Sequence, residues 1–353
     1  MSSLYLLTAV AIISIGIAVL VFIIYVRLHF KKKTYRYEVN VRQRMEIELS
    51  EMIFSEPADQ LPVSKEFYQI VKKPAGRNFV LTELFNARKN FTGTAAENAA
   101  AIYEQLGLKK HALKKLKSTR WHMIARGIQE LYLMGQADVL EKIYANTNAR
   151  HEFVRMEAQT GIIHMIGFEG LRFLDTASYP LTEWQQIKLL EQLGYTKMNT
   201  RLYEVIPRWL DSPNPTVVVF ALKLAEEYQQ ISLHDTILHC LEHPNETVRR
   251  QCIYTLVRVA DEKTPGCLSE HFYTETFANQ LIILDGLEKI ATEEQAPFLT
   301  RLLDDENDIV KLKAAKALVL NTSGGLTLLD ERGRQQPSPY GEIFLHIKSE
   351  TAI

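Results

Sequence analysis

A recurrence of about 31 residues is the feature of this chain that most restricts its fold. Val154, Val217, Val248 and Val310 are each followed four residues later by a small or apolar side chain, Ala158, Ala221, Cys252 and Ala314. The steps between these anchors are 63, 31 and 62 residues, one or two periods of 31. The skipped places hold Met123, Gln185 and Asn279, the last two weak because a polar residue stands at the anchor. A position not used to build the alignment tests it. Eight residues beyond the anchors stand Leu131, Ile162, Leu193, Ala225, Leu256, Leu287 and Leu318, all apolar in a chain that is 46% hydrophobic. Apolar side chains at i, i+4 and i+8 line one face of an α-helix, so each period contains a helix.

A second regularity lies upstream. Leu210, Leu241 and Leu303 precede their anchors by seven residues, and Asn214, Asn245 and Asn307 precede them by three. Each period therefore reads as a helix, a short turn with Asn and often Pro, and a second helix. Glu152, Glu183, Glu246 and Asp308 stand two before the anchor, in the first turn of that second helix, where a negative charge favours the helix dipole. One such pair cannot bury its apolar face alone, so neighbours stack into an elongated array. The expected fold class is all-α: an α-solenoid of stacked helical hairpins over residues 119–321, about seven repeats, preceded by a single N-terminal transmembrane helix.

The repeated Leu-x-Asp/His-x-Asn-x-x-Val-Arg-x-x-Ala-x-x-x-Leu pattern resembles the short bacterial form of the HEAT-type repeat, about 30 residues long. The resemblance covers residues 119–321. It implies a curved solenoid whose inner surface grips a protein or another macromolecule, and it specifies fold far better than function. One branch of that family, the deoxyhypusine hydroxylases, holds a di-iron centre through several His-Glu dipeptides. This chain has one, His151-Glu152, which is too few ligands. The phycobilin lyase branch attaches chromophores, and no residue here marks such a site.

The amino terminus carries a different signal. Leu4 to Val26 is an uncharged run of 23 residues that would span about 35 Å as a helix, enough for a hydrocarbon core of roughly 30 Å. No Lys or Arg precedes it, and large basic residues follow, which argues for an uncleaved anchor over a signal peptide. Arg27, Lys31, Lys32, Lys33 and Arg36 then set a topology with residues 1–3 outside and the remainder in the cytoplasm. The expected localisation is the inner (cell) membrane, single-pass. Residues 27–56 read as a basic juxtamembrane helix with a stripe of Val41, Met45, Leu49 and Ile53. Residues 57–118 read as a linker and capping helices, near Arg77–Asn90 and Ala95–Gly107. Residues 322–353 read as a tail folded back on the last repeat, with an exposed linear motif that adds to a partner as the alternative.

Little points to chemistry. The chain has no phosphate-cradling glycine loop and no nucleophile elbow. Three cysteines (Cys240, Cys252, Cys267) form no disulfide framework. His239 and His243 share a helical face beside His234 and Cys240, a pattern better read as solvated than as metal-binding. No cofactor is expected. The strongest surface feature is the basic run Lys109, Lys110, Lys114, Lys115, Lys117 and Arg120. It is a candidate for binding an acidic partner or anionic surface, with a solvated helix face as the plain alternative. Arg155, Arg249 and Lys311, one residue after their anchors, are expected to pair with acids of their own turns.

The function expected is a non-catalytic, membrane-tethered scaffold that binds a protein partner at the cytoplasmic face, either an integral-membrane enzyme or a soluble regulator. The alternatives are a metal-dependent or chromophore-modifying enzyme on the same fold, and nucleic-acid binding through residues 109–120. The formal net charge of −1 weighs against the last.

Overall fold

The computed structural model describes residues 41–56, 61–194 and 202–351, together with Leu20, Phe22 and Tyr25. The described residues are helical throughout, with no strand among them. The chain divides into two compact units, Met1–Val139 and Leu140–Ile353, a boundary that falls inside the repeat array.

The first unit contains α1 (41–53), α2 (Lys65–Lys72), α3 (Pro74–Asn90), α4 (Thr94–Gln105), α5 (Lys109–Leu116) and α6 (Trp121–Leu133). The stripe on α1 is buried at Met45, Leu49 and Ile53, so this helix lies on its own unit. Its last carbonyls would be left without partners inside the protein. The buried Asn98 of α4 meets them, its Nδ2 donating to the carbonyls of Met52, Ile53 and Ser55. Ser64 caps α2, its Oγ accepting from the amide of Phe67 at 3.1 Å. Pro74 opens α3, at a position where its missing N–H costs nothing. Gly127 lets α6 approach α5 closely, because a Cβ there would come within 2.9 Å of the Ala112 carbonyl oxygen.

The second unit contains α7 (Leu140–Tyr144), α8 (Glu152–Ile166), α9 (Glu183–Gly194), α10 (Leu202–Leu210), α11 (Pro215–Glu227), α12 (His234–Leu238) and α13 (Glu246–Arg258). It continues through α14 (Thr264–His271), α15 (Phe277–Ile290), α16 (Ala296–Leu302), α17 (Asp308–Asn321), α18 (Gly325–Gln335) and α19 (Glu342–Thr351). The repeat rhythm maps directly onto these helices. In α6, α8, α9, α11, α13, α15 and α17 the anchor is the third residue of the helix. Every anchor except Met123 is buried, as is every side chain eight residues beyond it. Complete burial of a Leu- or Ile-sized side chain contributes about 1.5–3 kcal/mol of transfer free energy. Stacking one such stripe on the next is therefore what holds the array together.

The asparagines three before the anchor are N-caps. Asn214, Asn245 and Asn307 accept from the amides of Thr216, Thr247 and Ile309 respectively, satisfying donors that a helix start leaves open. At the two weak anchors threonine does the same work: Thr182 accepts from the Gln185 amide and Thr276 from that of Asn279. The polar anchors are themselves partnered. Gln185 donates to the Oε1 of buried Gln159, and Asn279 donates to Glu275 at 2.8 Å. Along the array α11 packs on α13, α13 on α15 and α15 on α17. The second unit is a helical repeat solenoid.

One expectation needs correction. Among the described residues no helix is long and apolar enough to cross a membrane, which overturns the single-pass, inner-membrane placement. The longest helix whose two ends are described, α3, has 17 residues, about 26 Å, and carries Arg77, Glu83, Arg88 and Lys89. The segment 4–26 on which that placement rested lies outside the described residues apart from Leu20, Phe22 and Tyr25, as do Arg27, Lys31, Lys32, Lys33 and Arg36.

Residues 322–353, expected to fold back on the last repeat, form the helical pair α18 and α19. Gly325 starts α18 against the end of α17, where a Cβ would lie 2.3 Å from the Leu318 carbonyl oxygen. Ile343 and Ile347 of α19 are buried. The Tyr340 hydroxyl donates to the Leu303 carbonyl at 2.9 Å, and Arg332 pairs with Asp304 at 2.6 Å.

Candidate functional site

Residues along a helix advance by about 100° each. Positions 3, 6 and 10 after the anchor therefore cluster on a face well away from the buried stripe at 0, 4 and 8. In the second unit these positions of α13 and α15, with residues of α9 and α11, line a groove of about 720 Å³. From α13 come Gln251, Tyr254 and Arg258, and from α15 Ile282, Asp285 and Lys289. α11 supplies Lys223 and Glu226, while α9 supplies Ile187 and Leu190. Two of the apolar groups are conspicuously bare: Ile187 is 53% exposed and Tyr254 47%. Trp184, one turn before Ile187 on α9, is 60% exposed, with the Lys188 ammonium 4.9 Å from its ring centre.

The floor of the groove is closely built. Gly286 lies against Val257, whose Cγ2 would be 2.5 Å from an added Cβ. Buried Thr255, next to Tyr254 in sequence, donates to the Leu222 carbonyl at 3.2 Å and ties α13 to α11. On the wall, Gln251 donates to Glu226 at 3.1 Å and Arg258 lies 3.6 Å from the same carboxylate. That pair is exposed and contributes little to stability, but it orders the polar edge beside Tyr254. Apolar patches between fixed charges suit the side chains of a docked polypeptide segment.

The basic run predicted from the sequence lies on α5 in the first unit, and the structure divides it. Lys109 pairs with Asp138 at 2.6 Å. Lys115 pairs with Glu130, whose side chain is fully buried and which Arg126 also approaches at 3.3 Å. These two lysines are committed internally. Lys110, Lys114, Lys117 and Arg120 are exposed and form no ion pair among the described residues. His111 sits among them with Nε2 3.1 Å from Arg77 Nη1. Partial burial, then the charges of Arg77, Lys110, Lys115 and Lys114, hold its pKa below the ordinary histidine value. The Tyr103 hydroxyl is pushed up by burial and by the charge of Glu130.

The cations one residue after the anchor do not all behave as the sequence suggests. Lys311 does pair with Asp308 of its own turn at 2.8 Å. Arg155 instead donates to the carbonyls of Ala149 and Arg150, both at 2.9 Å, and lies 4.2 Å above the Tyr179 ring. Arg249 donates to the His243 carbonyl at 3.0 Å and to both oxygens of Glu275 in the following repeat. A guanidinium carries five donors in a planar fork, so it can close its own turn and reach the next repeat at once. Burial alone would raise the Glu275 pKa, but the hydrogen bonds from Arg249 and Asn279 outweigh it and hold the carboxyl below the usual range.

The histidines near residue 240 are dispersed. His234 is buried with Nε2 2.7 Å from Thr264 Oγ1 and 3.2 Å from Asp261, while His243 accepts from the Asn245 amide. Among the described residues no group of three or more metal-ligating side chains is arranged to hold an ion. Burial raises the Cys240 thiol to about 11 and pushes Cys252 well above its ordinary value, so both are uncharged packing groups.

Sequence reasoning missed the groove, since its positions carry Lys, Glu, Gln, Tyr, Arg, Ile and Asp with no common pattern. The available signal was Ile187 and Tyr254, apolar side chains off the buried stripe.

No protein-family model matches the chain, and no curated protein matches it. The chain is similar to several solved structures. An engineered protein aligns over 79% of this chain and 86% of its own length at 13% identity, with a TM-score of 0.39. A designed armadillo repeat protein aligns over 60% of this chain and 99% of its own at 16% identity, TM-score 0.31. The complex of CpcE and CpcF of phycocyanin lyase from Nostoc sp. PCC7120 aligns over 84% and 98% at 13% identity, TM-score 0.24. The stacking of α11 on α13, α13 on α15 and α15 on α17 carries the helical-repeat reading by itself.

Proposed function

We propose that this is a HEAT-type repeat protein that acts as a non-catalytic scaffold, holding a segment of a partner protein in the groove across α9, α11, α13 and α15. One observation supports the reading above others: Ile187 and Tyr254 stand about half exposed in a groove where Val257 of α13 packs closely on Gly286 of α15. A rigid floor lowers the ordering cost of binding, and an aromatic anchor in such a setting is where binding energy concentrates. Burying each of these side chains fully would contribute about 1.5–3 kcal/mol before those costs.

The test is a double substitution, Ile187→Asp with Tyr254→Asp, placed on exposed positions so that the melting temperature stays unchanged. Co-purification of the bound protein at native expression should fall at least about tenfold, since two lost anchors exceed 1.4 kcal/mol. Undiminished co-purification by the folded double variant would overturn the proposal.

A further inference from the structure

The charge of this chain is segregated between its two units. Met1–Val139 holds 20 Lys and Arg against 12 Asp and Glu, whereas Leu140–Ile353 holds 21 against 30. The bias does not depend on the basic residues before position 41, because 41–139 still carries 15 against 11. Within the first unit the excess has a location. Lys110, Lys114 and Lys117 recur at i, i+4 and i+7 from the start of α5, which puts them on one side over about 10 Å, with Arg120 just beyond. Their neighbours Lys109 and Lys115 have found carboxylates in Asp138 and Glu130, and these four have none among the described residues.

We infer that Lys110, Lys114, Lys117 and Arg120 form one half of a contact between two copies of this chain, the other half being the acidic surface of Leu140–Ile353 in the second copy. Each copy carries both halves, so the contact is self-complementary between copies. A nucleic acid fits the same charges less well, because the strip is short and offers only these four cations to phosphates. The inference concerns the first unit's α5 and is independent of the groove, so either can fail alone.

Sedimentation of the full chain in about 0.1 M and about 1 M sodium chloride tests it, since the screening length falls from about 10 Å to about 3 Å. At low salt the protein should sediment as a dimer of the 40.5 kDa chain, and at high salt as the monomer. Reversing three charges, K110E/K114E/K117E, should weaken the low-salt dimer by at least about tenfold, while K110R/K114R/K117R should retain it. Helix content and melting temperature report that both variants fold. A chain that is monomeric at low salt overturns the inference, even if it shifts duplex DNA. So does a dimer that ignores both salt and charge reversal, because association of apolar surface is not weakened by sodium chloride.

Discussion

Arg249 Nε donates to Glu275 Oε1 at 2.7 Å, and the carboxylate that receives it is fully buried. The arginine belongs to α13 and the glutamate precedes α15, so the pair joins one repeat to the next where the two second helices begin. Asn279 and the Thr276 amide also donate to this carboxylate, and His271 Nε2 lies 3.2 Å from its Oε1. Deleting the arginine leaves a buried charge without its counterion, a change that typically costs about 3–5 kcal/mol. Arg249→Met is therefore expected to lower unfolding free energy by about 3 kcal/mol in a denaturant titration. Adding Glu275→Gln to that variant should recover part of the loss, because the uncompensated charge is then removed.

The same carboxylate gives a signed pH dependence. Its pKa is held below the ordinary value of 4.5 in the folded protein, so its contribution is fully present above that value. It is lost as pH falls from about 4.5 through the lower folded pKa. Stability of the wild type should therefore fall more steeply below pH 4.5 than that of Glu275→Gln, with the two curves parallel above it. Asp261, Asp304, Glu293 and Glu350 also have lowered pKa values, so the comparison between the two proteins isolates Glu275.

The capping asparagines should not be equivalent. Asn245 Oδ1 accepts from the Thr247 amide at 2.9 Å and its Nδ2 makes no hydrogen bond among the described residues, so Asn245→Ala should cost about 1 kcal/mol and Asn245→Asp close to nothing. Asn214 caps its own helix and also donates from Nδ2 to the carbonyls of Ala177 and Tyr179, at 3.1 and 3.0 Å. Asn214→Asp keeps the cap and loses that donor, and should cost about 1 kcal/mol more than Asn245→Asp in thermal unfolding.

Much of the fold was legible because its signals are local. The stripe at 0, 4 and 8, the asparagine cap and the acid after it all lie within a dozen residues, and each found its helix. The less legible parts depend on partners distant in sequence. Gln185 and Asn279 look wrong for a buried anchor until Gln159 and Glu275 are seen beside them. Lys115 looks available for binding until Glu130 of α6 takes it. Residues 322–353 lack the array's spacing, so the burial of Ile343 and Ile347 could not be read from periodicity. The groove is the extreme case, since it exists only where four helices stand side by side.

Site-resolved photocrosslinking measures the central claim most directly. A benzophenone amino acid at Tyr254 in living cells should give a discrete covalent adduct with one other protein, and competition by Ile187→Asp should abolish it. The same probe at exposed Leu345, on α19, should give none. Adducts at Leu345 but none at Tyr254, or an adduct at Tyr254 that survives Ile187→Asp, would contradict the groove as the binding surface.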